Sequence, residues 1–289
     1  MSIIIREQLE GDAFCQHPVV AGLLRQAKHC EYKRHESGRW NMTQSAPVAW
    51  VTGGTGGIGS SICRALAAAG YHVVAGYHNP EKAKTWLETQ KADGFDNISL
   101  SGVDLTSYQA CEAGAREIEE AHGPISVLVN CAGITRDGTM KKMTPEQWHE
   151  VIDTNLNTVF NTCRSVIEGM LEQKYGRIIN ISSINGRKGQ FGQVNYSAAK
   201  AGMHGLTMAL AQETATKGIT VNTVSPGYIA TDMIMKIPEN VREAIRETIP
   251  VKRYGTPEEI ARLVVFLADK ESGFITGANI DINGGQFMG

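Results

Sequence analysis

The stretch Thr52-Gly53-Gly54-Thr55-Gly56-Gly57-Ile58-Gly59 follows the apolar run Val48-Ala49-Trp50-Val51 and leads into Ile58, Ile62 and Leu66 at helical spacing. A strand, a glycine-rich turn and a helix in that order form the opening unit of a parallel α/β sheet. Glycine lets the chain turn tightly and lets a bound group approach the backbone. The free amides and positive end of the following helix stabilise an anion such as a pyrophosphate. The spacing, Gly-x3-Gly-x-Gly across residues 53, 57 and 59, is wider than the usual dinucleotide fingerprint.

Outward from this turn, short β-branched-rich runs recur at 72–76, 98–103, 127–130, 177–181, 220–224 and 279–282. Amphipathic stretches near 57–69, 81–91, 107–121, 145–173, 195–217 and 257–268 separate them. Short apolar strands alternating with helices predict an α/β fold, a Rossmann-type doubly wound parallel sheet of about seven strands. No repeat, low-complexity tract or linker interrupts the chain after residue 48, so residues 43–289 are expected to form a single domain. Residues 1–41 carry three of the eight histidines without a clear apolar period, and read as a flexible N-terminal extension or as residues upstream of a start at Met42. Cys15, His17, His29, Cys30 and His35 lie there at spacings that match no standard zinc pattern, so no metal is expected.

Composition narrows the partners. The 289 residues are 42% hydrophobic and 20% charged, with 28 Lys and Arg against 30 Asp and Glu and no long run of one sign. That balance excludes a nucleic-acid or membrane-surface footprint and favours small-molecule ligands. No run of about 18 uncharged apolar residues is present, and the first residues lack a secretory apolar region. Six dispersed cysteines without a CxxC pair fit reduced thiols, so a cytoplasmic location is expected.

Further motifs follow the glycine turn in order. They are Asn130-Cys131-Ala132-Gly133, Asp153-Thr154-Asn155-Leu156, Asn180-Ile181-Ser182-Ser183, Tyr196-Ser197-Ala198-Ala199-Lys200 and Pro226-Gly227. Ser183 precedes Tyr196 by 13 residues and Lys200 follows it by 4. This ordered set resembles the short-chain dehydrogenase/reductase family, with Cys131 standing where the family shows a second asparagine. The resemblance implies a catalytic set of Asn155, Ser183, Tyr196 and Lys200. It also implies a nicotinamide dinucleotide held by Gly53, Thr55, Gly57, Ile58, Gly59, Tyr77, Asp104, Asn130, Ala132, Gly133, Tyr196, Lys200, Pro226, Gly227 and Ile229. A catalytically silent nucleotide-sensing protein on the same fold is the remote alternative, and the complete tetrad argues against it.

Tyr196 and Lys200 at i and i+4 share one helix face, so the ammonium can sit beside the phenol. An ordinary tyrosine titrates near about 10, and a neighbouring cation plus the nicotinamide charge is expected to lower that value and make Tyr196 a general acid. Ser183 is expected to polarise a substrate carbonyl, and Asn155 to hold a water in a proton relay through Lys200. The strand at 72–76 runs into Tyr77-His78-Asn79 with no acid to take a ribose hydroxyl, and Lys82 and Lys84 follow, so NADP(H) is expected over NAD.

Closer similarity lies in Gly133-Ile134-Thr135-Arg136-Asp137, Gly189-Gln190-Phe191-Gly192-Gln193 and the ending Asn283-Gly284-Gly285 with Met288-Gly289. These resemble acetoacetyl-CoA reductases of polyhydroxyalkanoate (polyhydroxybutyrate) synthesis, and next the 3-oxoacyl-[acyl-carrier-protein] reductases. The resemblance implies an acyl-CoA thioester substrate contacted by Gln190, Phe191, Gln193 and Tyr228, an (R)-3-hydroxy product and a homotetramer. It also implies that residues 229–254 close over the substrate; the bases there, Lys236, Arg242, Arg246, Lys252 and Arg253, suit CoA phosphates, an acidic carrier protein or a solvated helix face.

Overall fold

The computed structural model describes residues 46–235 and 238–289. Residues 1–41, including the cysteines and histidines weighed above for a metal, lie outside the described residues. Seven strands form one parallel sheet: β1 (Val48–Thr52), β2 (His72–Gly76), β3 (Ile98–Ser101), β4 (Ile125–Asn130), β5 (Gly176–Ile181), β6 (Ile219–Pro226) and β7 (Asn279–Ile282). Their order is β3-β2-β1-β4-β5-β6-β7, the doubly wound arrangement expected from the alternating pattern. The direction of winding reverses between β1 and β4, and in open α/β sheets ligands bind outside the carboxyl ends of the strands at that point.

The helices are α1 (Gly57–Ala68), α2 (Pro80–Ala92), α3 (Tyr108–His122), α4 (Pro145–Ile152), α5 (Thr158–Gln173), α6 (Asn185–Lys188), α7 (Val194–Thr214), α8 (Asp232–Met235), α9 (Glu239–Thr248) and α10 (Pro257–Ala268). They cover both faces of the sheet. Alternation along β1 shows how: Ala49 and Val51 join a core with Ile62 and Leu66 of α1 and Ile260 and Val264 of α10. Val48 and Trp50 join the opposite core with Val159 and Met170 of α5 and Met203 of α7. Buried on both faces, the strands carry apolar residues continuously rather than alternately.

Three local features depart from the sequence reading. β3 stops at Ser101, two residues short of the expected end, and β4 begins at Ile125. The stretch 145–173 is two helices joined by a π-helical turn over Asp153–Asn157. The segment 229–254, read only as a closing segment, contains the amphipathic helix α9.

Candidate active site

The turn after β1 is shaped by its glycines. Gly53 has φ +63°, a left-handed conformation, and a Cβ on Gly59 would overlap the Gly53 carbonyl. Backbone therefore packs on backbone, and α1 begins at Gly57 with neither a side-chain cap nor an acidic residue in its first turn. The helix amides at this end are left for a ligand, and the residues present fit a dinucleotide pyrophosphate. Thr52 supports the turn from below: its Oγ1 accepts from the amides of Cys131 at 3.0 Å and Ala132 at 3.2 Å. That hydroxyl locks the end of β4 to the end of β1, a task its place at the strand end signalled and the sequence reading missed.

The other expected cofactor positions converge on the same edge. Tyr77 lies over Gly102, where a Cβ would meet its phenol oxygen at 2.6 Å, and Asp104 ends the loop after β3. Asp104 Oδ1 accepts from the Thr106 amide at 3.0 Å and hydroxyl at 2.7 Å, and these bonds hold its carboxyl below the usual range. At the end of β6, the Gly227 amide donates to Ile282 at 2.9 Å, and Gly57 faces Thr231 across the cleft. The side chains of Asn130 and Ile229 turn inward. Ile229 is buried in the core, and Asn130 lies in a hydrogen-bonded chain Thr162–Asn130–Asn180–Thr207–Thr223 with links of 2.7–2.9 Å. Only the backbone of these two remains for a ligand. Lys82 and Lys84 are exposed, and the Lys82 amide caps α2 on Asn79.

The four residues of the expected tetrad come together from three parts of the fold: α7, the end of β5 and the π-helical turn. Tyr196 and Lys200 lie on α7, and Lys200 Nζ is 5.7 Å from the Tyr196 ring centre. Ser183, beyond β5, lies near enough to the Tyr196 phenol to draw its pKa down, and its Oγ accepts from the Asn185 amide at 3.1 Å. Lys200 is 3% exposed and donates to the Ile181 carbonyl at 2.9 Å. Gly133 packs between Asn155 and Lys200: a Cβ there would overlap Asn155 Oδ1 and come within 3.5 Å of Lys200 Nζ.

Burial governs the ionisation of this group before a cofactor enters. Burial pushes the Tyr196 phenol up to about 12, outweighing the downward pull of Ser183, so the phenol keeps its proton at neutral pH. The same burial brings the Lys200 ammonium down to about 8. Asn155 is fully buried in the π turn, with its side chain bonded to backbone. Nδ2 donates to the carbonyls of Ile134 at 2.9 Å and Val151 at 2.8 Å, and Oδ1 accepts from the Ile134 amide at 3.1 Å. Both amide hydrogens are spent, so the side chain fixes the 133–134 backbone beside Lys200. Cys131, in place of an asparagine, has a thiol raised to about 11 by burial and stays neutral beside Lys200.

Of the expected substrate contacts, Gln190 and Tyr228 line a cleft against α9. Phe191 stands out at 88% exposure on the rim. The Gln193 amide is committed within the protein, donating to both Asp137 oxygens at 3.0 Å and accepting from Asn185 at 2.9 Å. It clamps the 190–193 loop to the loop after β4, and Asp137 raises the pKa of both Tyr196 and Tyr228. Three of the bases expected to meet phosphate are paired instead: Arg246 with Glu243, Lys252 with Glu247 at 3.2 Å, and Arg253 with Glu259 at 2.7 Å.

Comparison with known proteins bears on this arrangement. A family model described as short chain dehydrogenase matches residues 47–242. The chain is 56% identical over 245 residues to an acetoacetyl-CoA reductase of Allochromatium vinosum, covering 84% of this chain and 99% of the relative. It is 55% identical over 249 residues to an acetoacetyl-CoA reductase of Cupriavidus necator, covering 86% and 100%. A 3-oxoacyl-[acyl-carrier-protein] reductase of Pseudomonas aeruginosa is 41% identical over 247 residues, covering 86% and 100%.

Proposed function

The chain belongs to the short chain dehydrogenase family, and from that premise we propose that it is an NADPH-dependent acetoacetyl-CoA reductase yielding (R)-3-hydroxybutyryl-CoA for polyhydroxybutyrate synthesis. It is an oxidoreductase, and the observation that carries its chemistry is the convergence of Ser183, the Tyr196 phenol and buried Lys200, whose Nζ lies 5.7 Å from the Tyr196 ring centre. When bound, the reduced nicotinamide supplies the hydride. The glycine turn and the open end of α1 hold the pyrophosphate, and Tyr77, Asp104 and the backbones at 130–133 and 226–229 flank the rest.

Ser183 donates a hydrogen bond to the substrate carbonyl oxygen and draws electron density from the carbonyl carbon. As the oxygen gains negative charge, Tyr196 Oη transfers its proton to it. A phenol near about 12 is well matched to an alkoxide, because proton transfer to the more basic oxygen is downhill. Lys200, charged below about pH 8, would stabilise the phenolate left behind and, with the cofactor bound, would be available to its ribose. Asn155 keeps the backbone at Gly133 and Ile134 against this group.

NADPH is preferred because the residues after β2 are Tyr77-His78-Asn79, without a carboxylate to repel a 2′-phosphate, and Lys82 and Lys84 are exposed at the start of α2. A homotetramer needs two self-complementary faces in each subunit. Phe160 and Leu171 on α5 with Met208 on α7 provide one, and Phe266 and Phe274 a second. Among the described residues no helix is long and apolar enough to cross a membrane, and we assign the enzyme to the cytoplasm.

Steady-state kinetics with acetoacetyl-CoA and acetoacetyl-carrier protein, each with NADPH and NADH, test the proposal. The expected result is the highest kcat/KM for acetoacetyl-CoA with NADPH. A higher value for the carrier-protein substrate would transfer the enzyme to fatty-acid synthesis.

A further inference from the structure

A cleft of about 510 Å³ lies between α9 and the segment that follows α6, within the roughly 300–1,000 Å³ typical of ligand pockets. One wall is the apolar face of α9, with Val241, Ala244, Ile245 and Thr248 at i, i+3, i+4 and i+7. Lys188 and Gln190 form the other wall, and Tyr228 is shared with the substrate side of the Tyr196 site. The apolar wall of the cleft suits a flexible chain of methylene and methyl groups.

The floor is polar and has an open valence. Gln286 Nε2 donates to Thr248 Oγ1 at 2.9 Å, and the Thr248 hydroxyl hydrogen is spent on the Ile245 carbonyl. This fixes the orientation of the Gln286 amide, and its Oε1 has no partner among the described residues. The charges around the cleft are unequal in availability. Arg187 is paired with Asp281 at 3.6 Å, while Arg246, Lys252 and Arg253 are paired as described above. Lys188 is exposed on the cleft wall and makes no ion pair among the described residues.

We propose that this cleft holds the pantetheine arm of the thioester and that Lys188 holds the phosphate-bearing end of that arm. The inference rests on the reductase reading and adds to it a residue that selects phosphorylated thioesters. The long flexible arm lies against the face of α9, and the phosphate meets Lys188, which has no ion pair among the described residues.

The test compares the parent with Lys188→Ala and Lys188→Arg on acetoacetyl-pantetheine, acetoacetyl-phosphopantetheine and acetoacetyl-CoA. The readout is the ratio of kcat/KM for each phosphorylated thioester to that for the pantetheine thioester. A fall of at least about threefold in Lys188→Ala, matching the energy of an exposed charge pair, with most of the ratio retained in Lys188→Arg, supports the proposal. A fall shared by both phosphorylated substrates places Lys188 at the phosphate adjoining pantetheine, the group that a carrier protein also bears. A fall confined to CoA places it at the nucleotide phosphates. A smaller fall on both overturns the inference while leaving the reductase reading in place, whereas a parent that reduces none of the three thioesters overturns both.

Discussion

Replacing Tyr196 by Phe separates a chemical role from a packing role, because it deletes one buried oxygen and keeps the ring on α7. The structural cost is the loss of the phenol oxygen's polar interactions beside Ser183, about 0.5–1.5 kcal/mol. It is offset in part because the ring no longer carries a buried hydroxyl, and Ser183 keeps its bond from the Asn185 amide. Thermal unfolding should therefore shift by only roughly 2–4 °C. The chemical cost is larger: without a donor for the alkoxide, kcat for acetoacetyl-CoA should fall by about 10²–10⁴, or roughly 3–5.5 kcal/mol of barrier. The assay is NADPH oxidation beside NADPH binding by fluorescence titration and a melting curve on one preparation. A variant that binds NADPH and turns over within about tenfold of the parent would refute the assignment of Tyr196 as proton donor.

Other expectations are narrower. Tyr77→Asp should move the cofactor preference toward NADH, because a carboxylate at the end of β2 accepts from a ribose hydroxyl and repels a 2′-phosphate; an unchanged NADPH to NADH ratio of kcat/KM would count against the placement of that phosphate. Lys200 must be charged to act, and burial brings it down to about 8. The kcat/KM for NADPH should therefore be level below that pH and fall above it, and a flat profile to about two units higher contradicts this role. Phe160→Glu on the exposed face of α5, where Phe160 is 57% exposed, should split the tetramer by light scattering at micromolar concentration; an intact tetramer would show that this face is not an interface.

The architecture was legible because its signals are local. The apolar strands, the glycine turn after Val51 and the Tyr196–Lys200 spacing each depend on residues within a few positions of one another. The π turn was not legible, since its residue Asn155 is held by Ile134, 21 positions earlier in the chain, and nothing in 145–173 reveals that partner. The upward shift of Tyr196 was not legible for a related reason: the burial that causes it is set by the tertiary fold. The fates of Gln193 and Asn130 also depend on distant partners, Asp137 and Asn180. The helix α9 is obscured because charged residues dominate 229–254, and its inward face amounts to four positions, 241, 244, 245 and 248.

The most direct test of the account is to mix the purified protein with NADPH and acetoacetyl-CoA and follow both cofactor and thioester. One NADPH should be oxidised for each acetoacetyl-CoA converted, and mass spectrometry with chiral separation should show (R)-3-hydroxybutyryl-CoA, heavier than the substrate by two hydrogens. Absence of NADPH oxidation with this substrate, or oxidation without the hydroxyacyl thioester, would contradict the account.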